Sequence, residues 1–299
     1  VITLLTRKRR TLGEILFDNL NVTVMLLLCF VTLYPIWYVL VNSFNDGKEA
    51  MTMGNIYWIP RMFSTENYST VFKNAGIMTA MGITVAKTVI GTVIHVFFTA
   101  MVAYAFSRKE LIGRNFYMII GTITMFFNGG LIPTYLWYRD LGLLDHFGVY
   151  IYPAMFSFFD LIIFLAFFRE IPEGLEEAAK IDGANDFTVF VRIVLPVSMP
   201  VVATIALFHG VWQWNDYFTG LLYTNTESLQ PIQTFLYRVI AQSSSNQMVQ
   251  NVGGAINRRV TGQSLKMATM VITTLPIVLA YPFLQRYFVK GLMIGSLKG

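Results

Sequence analysis

From Gly76 to Phe106 the chain runs thirty-one residues with a single full charge, Lys87. A soluble domain has no use for an apolar run of that length, because about 20 residues already cross the hydrocarbon core of a bilayer. Five more segments of spanning length follow from the same pattern, at about 20–43, 115–137, 147–168, 200–222 and 267–289. Hydrophobic residues make up 55% of the chain and charged residues 13%, against roughly 25% charged in soluble domains. The expectation is an all-α integral membrane protein with six transmembrane helices: a cytoplasmic segment 1–19, a membrane domain 20–289 and a cytoplasmic tail 290–299. Pro35, Pro133, Pro153, Pro276 and Pro282 fall inside or at the ends of these spans, where packed neighbours can satisfy the backbone groups that proline frees. The 76–106 segment is longer than a bilayer needs, which predicts tilt or extension beyond the hydrocarbon.

Lysine and arginine set the orientation. With the N-terminus inside, segments 1–19, 107–114, 169–199 and 286–299 hold thirteen of them. The opposite segments 44–75, 138–146 and 223–266 hold eight, four of these on the long 223–266 loop. Positive residues concentrate on the cytoplasmic side of membrane proteins, so both termini and residues 169–199 are expected in the cytoplasm. The formal charge of +5 is explained by this asymmetry. No dense basic face with interleaved aromatics occurs, which excludes nucleic acid as a partner. Cys29 is the one cysteine, so no intrachain disulfide can form, and it reads as a small apolar packing residue. There is no P-loop, HExxH, CxxC or G-x-S-x-G. The chain is therefore expected to be no enzyme and to bind no cofactor or metal of its own.

The polar stretch Glu173–Pro200 stands out between two apolar segments. Pro172 can open a helix, and Glu173, Glu176 and Glu177 place negative charge at its positive end. Gly183 can end that helix in a left-handed conformation, and Asn185 can cap a second. In that second helix Phe187, Phe190, Val191 and Val194 follow i, i+3, i+4, i+7 spacing, and Pro196 and Pro200 interrupt it. An interfacial helix lying on the bilayer carries lysine and arginine on its polar face. Here six acids (Glu170, Glu173, Glu176, Glu177, Asp182, Asp186) outnumber three bases. The pattern reads as a cytoplasmic lever, one helix docking a partner and the other transmitting to the bundle.

This stretch resembles the EAA loop of ABC importer permeases, E-A-A-x3-G-x9-I-x-L-P, at Glu177, Ala178, Ala179, Gly183, Ile193, Leu195 and Pro196. Asp182, Gly183, Ala184 and Phe187 resemble the carbohydrate-uptake, maltose-type branch. So do Ala103–Arg108 and Trp214-Asn215-Asp216. Phe127–Pro133 and Leu141–Asp145 are similar to a narrower subgroup, that of the alginate importer's second permease subunit and the pectin-fragment permeases. The resemblance implies a permease subunit of an ATP-driven oligosaccharide importer in a bacterial cytoplasmic membrane. Its partners would be a second homologous permease, two ATPase subunits that bind ATP and Mg, and an extracytoplasmic solute-binding protein. Glu176, Glu177 and their neighbours would enter the ATPase. The loop 223–266 would meet the binding protein, with Asn246, Gln250, Asn257, Arg258 and Arg259 as contacts.

Within the spans, Trp212, Trp214, Asn215, Asp216 and Tyr217 combine aromatic faces with polar groups suited to sugars. They read either as cavity lining or as interfacial and packing residues. Lys87 and Asp160 either touch substrate or pair, with each other or with the second permease. His95 and His209 have no ligand spacing and read as packing residues. The alternative function is a stand-alone secondary transporter or channel relaying ions through Lys87, Asp160 and Asp216.

Overall fold

A computed structural model describes residues 11–47, 58–250 and 262–296. The chain divides into two compact units, Val1–Val71 with Val249–Val271, and Phe72–Met248 with Ile272–Gly299. The described residues are helical, with one isolated antiparallel bridge between Asn45 and Phe63.

In the first unit, α1 (Leu12–Ser43) opens with a reciprocal cap: Thr11 Oγ1 accepts from Glu14 N, and Thr11 N donates to the Glu14 carboxylate. This satisfies two of the amide donors that a helix start leaves without partners. Over the apolar length of α1 only 6% is buried within the protein, so its leucine-rich surface suits lipid rather than water. Its end is pinned by a polar knot. The Asn67 side-chain amide donates to the carbonyls of Ser43 and Asn45, and the Ser43 hydroxyl meets Tyr68 Oη at 2.6 Å. Phe44 stacks on Phe63 beside it.

The second unit is built on α3 (Ala75–Ser107), which follows the short α2 (Glu66–Lys73). Against α3 pack α6 (Phe158–Phe168) and α9 (Met199–Asn215). Ala100, Ala103, Leu161, Phe164, Val189, Val194 and Ile205 form an almost fully buried core between these helices and α8 (Asp186–Val197). Small residues on α3 let the neighbouring backbones approach, as is usual where helices associate in lipid. The remaining helices are α4 (Arg114–Phe126), α5 (Leu131–Asp140), α7 (Glu173–Ile181), α10 (Phe218–Tyr223), α11 (Ile232–Gln250) and α12 (Gly262–Ser296).

Six continuous spans are not what the described helices provide. Three are long and apolar enough to cross a membrane: Leu12–Ser43, Ala75–Ser107 and Gly262–Leu279. The count rises to five if each of two bent pairs is one span. The expected third span breaks into α4 and α5, bent by 115°. Gly130 there takes φ 87° and donates its N–H to the Asn128 side chain, so the local sequence prefers a turn to a helix. The fourth is a single turn at Phe147–Tyr150 followed by the eleven residues of α6. Within the expected 223–266 loop, α11 is helical over Ile232–Gln250, a stretch free of glycine and proline.

Two poles of this unit are tied by polar contacts. At one, Asp145 accepts from the amides of Asn225 and Thr226 and, at 2.6 Å, from the Thr226 hydroxyl. These bonds, the hydroxyl foremost, hold the Asp145 carboxyl below its ordinary range and offset its left-handed φ of 55°. At the other pole lie Arg108 and residues 173–186.

Gly121 of α4 faces the Phe158 ring so closely that a β-carbon would overlap it. Gly121→Ala should therefore destabilise by about 1–3 kcal/mol, the usual cost of overpacking. Gly129, which has nothing near its missing side chain, should accept alanine without loss. Thermal denaturation of the purified protein measures both, and Phe158→Leu should restore the stability of Gly121→Ala.

Candidate functional site

The α7–α8 hairpin owes its shape to its turn. Ala184 N donates to Ala179 O at 2.9 Å and Gly183 N to Lys180 O at 3.0 Å. This paired ending requires a left-handed residue after the helix, and Gly183 takes φ 85°. Asn185 then caps α8, its side chain accepting from Thr188 N at 2.8 Å. Pro172 sits at the cap of α7, one position before the first helical residue. Glu173 and Glu176 occupy the first turn and Lys180 the last, as the helix dipole favours.

Glu176 and Glu177 have opposite environments. Glu176 is buried and makes a two-pronged ion pair with Arg108, which lies just past the end of α3. The guanidinium also stacks over Tyr104, 4.2 Å from its ring centre. Burial disfavours the Arg108 charge, but the Glu176 carboxylate outweighs this and raises its pKa. Alongside, Lys109 donates to Glu173 at 2.7 Å and holds that carboxyl below its ordinary range. Both groups are exposed, so this outer pair adds little stability. Glu177, Ala178, Asp182 and Gly183 face outward, with Ile181 85% exposed and Phe187 58% exposed. Ala179 and Ala184 are half-buried against the core. A cleft of about 350 Å³ between Tyr104, Arg108, Leu111, Asp186, Phe187 and Phe190 lies beside this surface.

The buried face of α8 differs from the expected stripe. Val189, Phe190 and Val194 are buried, Ile193 and Leu195 are half-buried, and Phe187 and Val191 are exposed along with Pro196. The reason is a π-helical turn at Phe190–Val194, whose wider winding rotates the face away from a 3.6-residue period. Phe190 packs on Tyr104 and edge-on to Phe97 of α3. An 83° bend separates α8 from α9. Helix α7 is thus joined to α3 through Arg108 and to α9 through α8.

The polar and aromatic residues of the expected spans separate into pairs and surface groups. Lys87, fully buried, donates to the Asp216 backbone carbonyl at 2.9 Å and to its carboxylate at 3.2 Å, and lies over the Tyr150 ring. Asp160 pairs with His95 at 2.9 Å, so Lys87 and Asp160 do not pair with each other. The His95 ring also stacks on His209. Trp214 is buried and donates to Thr273 O. Trp212, Asn215 and Tyr217 are exposed, Tyr217 stacking on Tyr237. Asn246 and Gln250 belong to α11, and Asn257, Arg258 and Arg259 lie outside the described residues. Sequence reasoning missed the Arg108–Glu176 and His95–Asp160 pairs, whose members are 68 and 65 residues apart and share no local spacing.

Comparison with known proteins places this geometry. Residues 96–294 match the family model of the binding-protein-dependent transport system inner membrane component. The chain is 40% identical to the polygalacturonan/rhamnogalacturonan transport system permease protein YtcP of Bacillus subtilis (strain 168), over 95% of this chain and 99% of that protein. It is 39% identical to protein LplC of the same organism, over 95% of each. Among solved structures it is similar to a chain of a bacterial ABC transporter involved in the import of the acidic polysaccharide alginate. That likeness has a TM-score of 0.84 and 28% identity, covering 93% of this chain and 99% of that one. The chain belongs to the family of inner membrane components of binding-protein-dependent transport systems.

Proposed function

We propose that this protein is a permease subunit of an ATP-driven importer of oligosaccharides, with acidic polysaccharide fragments as the substrate class. Family membership and the pectin- and alginate-handling relatives support the transport reading. The observation that carries the mechanism is the exposed Glu177–Phe187 surface, set by the Gly183 turn and braced through Glu176. In this reading that surface, within a cytoplasmic loop 169–199, docks in a cleft of an ATPase partner. ATP and Mg belong to two such ATPase subunits. Half of the translocation path comes from this chain and half from a second homologous permease, and an extracytoplasmic solute-binding protein delivers the sugar.

A six-span topology with both termini cytoplasmic fits the two tied poles: Arg108 and Lys109 meet residues 173–176 at one end, and Asp145 meets 225–226 at the other. Such an alternation requires the chain to cross between them, with α4 and α5 as one broken passage and α6 as the return. The substrate path is assigned to the exposed Trp212, Asn215 and Tyr217. Lys87, Asp160, Asp216 and Trp214 are engaged inside the subunit. An ion relay through Lys87, Asp160 and Asp216 has no support, because these groups form two separate pairs.

Co-expression with neighbouring operon genes should bring down an ATPase with this chain, and its absence would refute the docking reading. Glu177→Lys reverses a charge on the exposed docking face. Gly183→Pro removes a backbone donor and forbids the left-handed turn, at about 1–3 kcal/mol or more. Both variants should abolish uptake and substrate-stimulated ATP hydrolysis while the subunit still reaches the membrane. Normal activity in either would sink the lever.

Neighbouring Glu176 should behave differently. Arg108→Ala leaves a buried carboxylate unpaired, which costs up to about 3–5 kcal/mol, discounted because the Arg108 side chain is 27% exposed. The expected result is a less stable subunit by thermal denaturation, whereas Glu177→Lys should leave the melting temperature in place.

A further inference from the structure

A second set of ionisable groups in the interior takes no part in docking. His95 of α3 is 1% exposed. Its Nδ1 lies 2.7 Å from the Ala154 carbonyl oxygen and its Nε2 lies 2.9 Å from Oδ2 of Asp160. The ring stacks face to face on His209 of α9, with centroids 3.7 Å apart and planes 10° from parallel. Both in-plane neighbours of His95 are therefore oxygens, and a backbone carbonyl can only accept.

A neutral imidazole has one N–H. With that hydrogen on Nδ1, the Nε2 lone pair faces a carboxylate oxygen. With it on Nε2, the Nδ1 lone pair faces a carbonyl at still shorter range. Either arrangement sets two acceptors against each other away from water, where an unmade hydrogen bond costs the full desolvation of the group. Both contacts become hydrogen bonds only with one more proton. It resides on Nε2, giving an imidazolium beside a carboxylate, or on Oδ2, giving a carboxylic acid that donates to Nε2.

We propose that His95 and Asp160 form a proton-binding site, with one proton shared along the Nε2–Oδ2 axis. With the proton bound the pair is neutral overall, and without it a net negative charge is left among α3, α6 and α9. The Asp160 side chain is 17% exposed and the His95 side chain 2%, so the proton enters from the Asp160 side. The charged and titratable neighbours are few. On α3 there is Lys87, about 12 Å away along the axis at 1.5 Å per residue, and it is engaged by Asp216 beneath Tyr150. From α9 comes His209, Asp216 follows its last residue, and the segment before α6 carries Tyr150. Contact stacking leaves room for one charged ring, not two, and Nε2 of His209 is buried without a hydrogen-bond partner. A metal is not the ligand, since no three His, Cys, Asp or Glu among the described residues converge to hold one.

Nitrogen-15 spectra of the histidine-labelled transporter test this directly. His95 is identified by the signal that His95→Gln removes, with His146→Gln and His209→Gln assigning the others. At neutral pH one of two patterns is expected: both His95 ring nitrogens protonated, or Nδ1 alone protonated together with a carboxylic-acid infrared band that Asp160→Asn abolishes. A singly protonated His95 with an ionised Asp160 overturns the proposal, whatever the transporter carries. Uptake supplies the second readout. Asp160→Asn, whose amide still donates to Nε2 but has no proton to lose, should change the pH profile of uptake relative to the wild type. An Asp160→Asn variant that assembles and keeps the wild-type pH profile assigns the pair to packing alone and overturns its proton-dependent role.

Discussion

One ion pair gives the polar hairpin a fixed place on the helical bundle. Besides Arg108, α7 is fastened by Ala179 packed on the core and by the exposed Lys109–Glu173 and Lys180–Asp186 pairs, and exposed pairs contribute little. The guanidinium fork matches a carboxylate in two parallel bonds and so fixes direction as well as distance. Its second face lies on Tyr104, four residues earlier and one helical turn back on α3. The α3 end and the start of α7 therefore move as one body, and the Gly183 turn decides where α8 leaves it.

From this follows a division of labour inside a motif that looks uniform. Adjacent acids on a helix point about 100° apart, so Glu176 can face the bundle while Glu177 faces out. The same logic separates Ala178, exposed, from Ala179, packed on the core. Phe187 extends the outward face beyond the turn, and Phe190 anchors the same helix inward, three residues away.

The local rules were legible in the sequence. Gly183 as a left-handed terminator, Asn185 as a cap and the acidic first turn of α7 each depend on neighbours within four residues, and each is found. Spans at 20–43 and 76–106 were legible because apolar length is also local. What failed was whatever the tertiary setting decides. The π turn at Phe190–Val194 exchanges which residues of α8 are buried, and no propensity marks it. The break at Asn128-Gly129-Gly130 was visible as composition, yet apolar residues on both sides made one span of α4 and α5. Lys87, Asp160 and Asp216 were recognised as unusual, but their partners lie between 65 and 129 residues away, beyond any spacing argument.

The buried pairs also bear on how a permease can move at all. Charges within a bilayer are tolerated when matched by a partner, and Lys87–Asp216 and His95–Asp160 each join α3 to a different helix. Lys87 grips the far end of α9, where Asp216 also accepts from Thr219 N to start α10. His95 grips the first turn of α6, which Ser157 caps through Asp160 N. Breaking either pair would leave buried polar groups without their partners. The two pairs thus tie α3 to α6 and to the end of α9, and the chain bends beside them, by 115° between α4 and α5 and by 83° between α8 and α9.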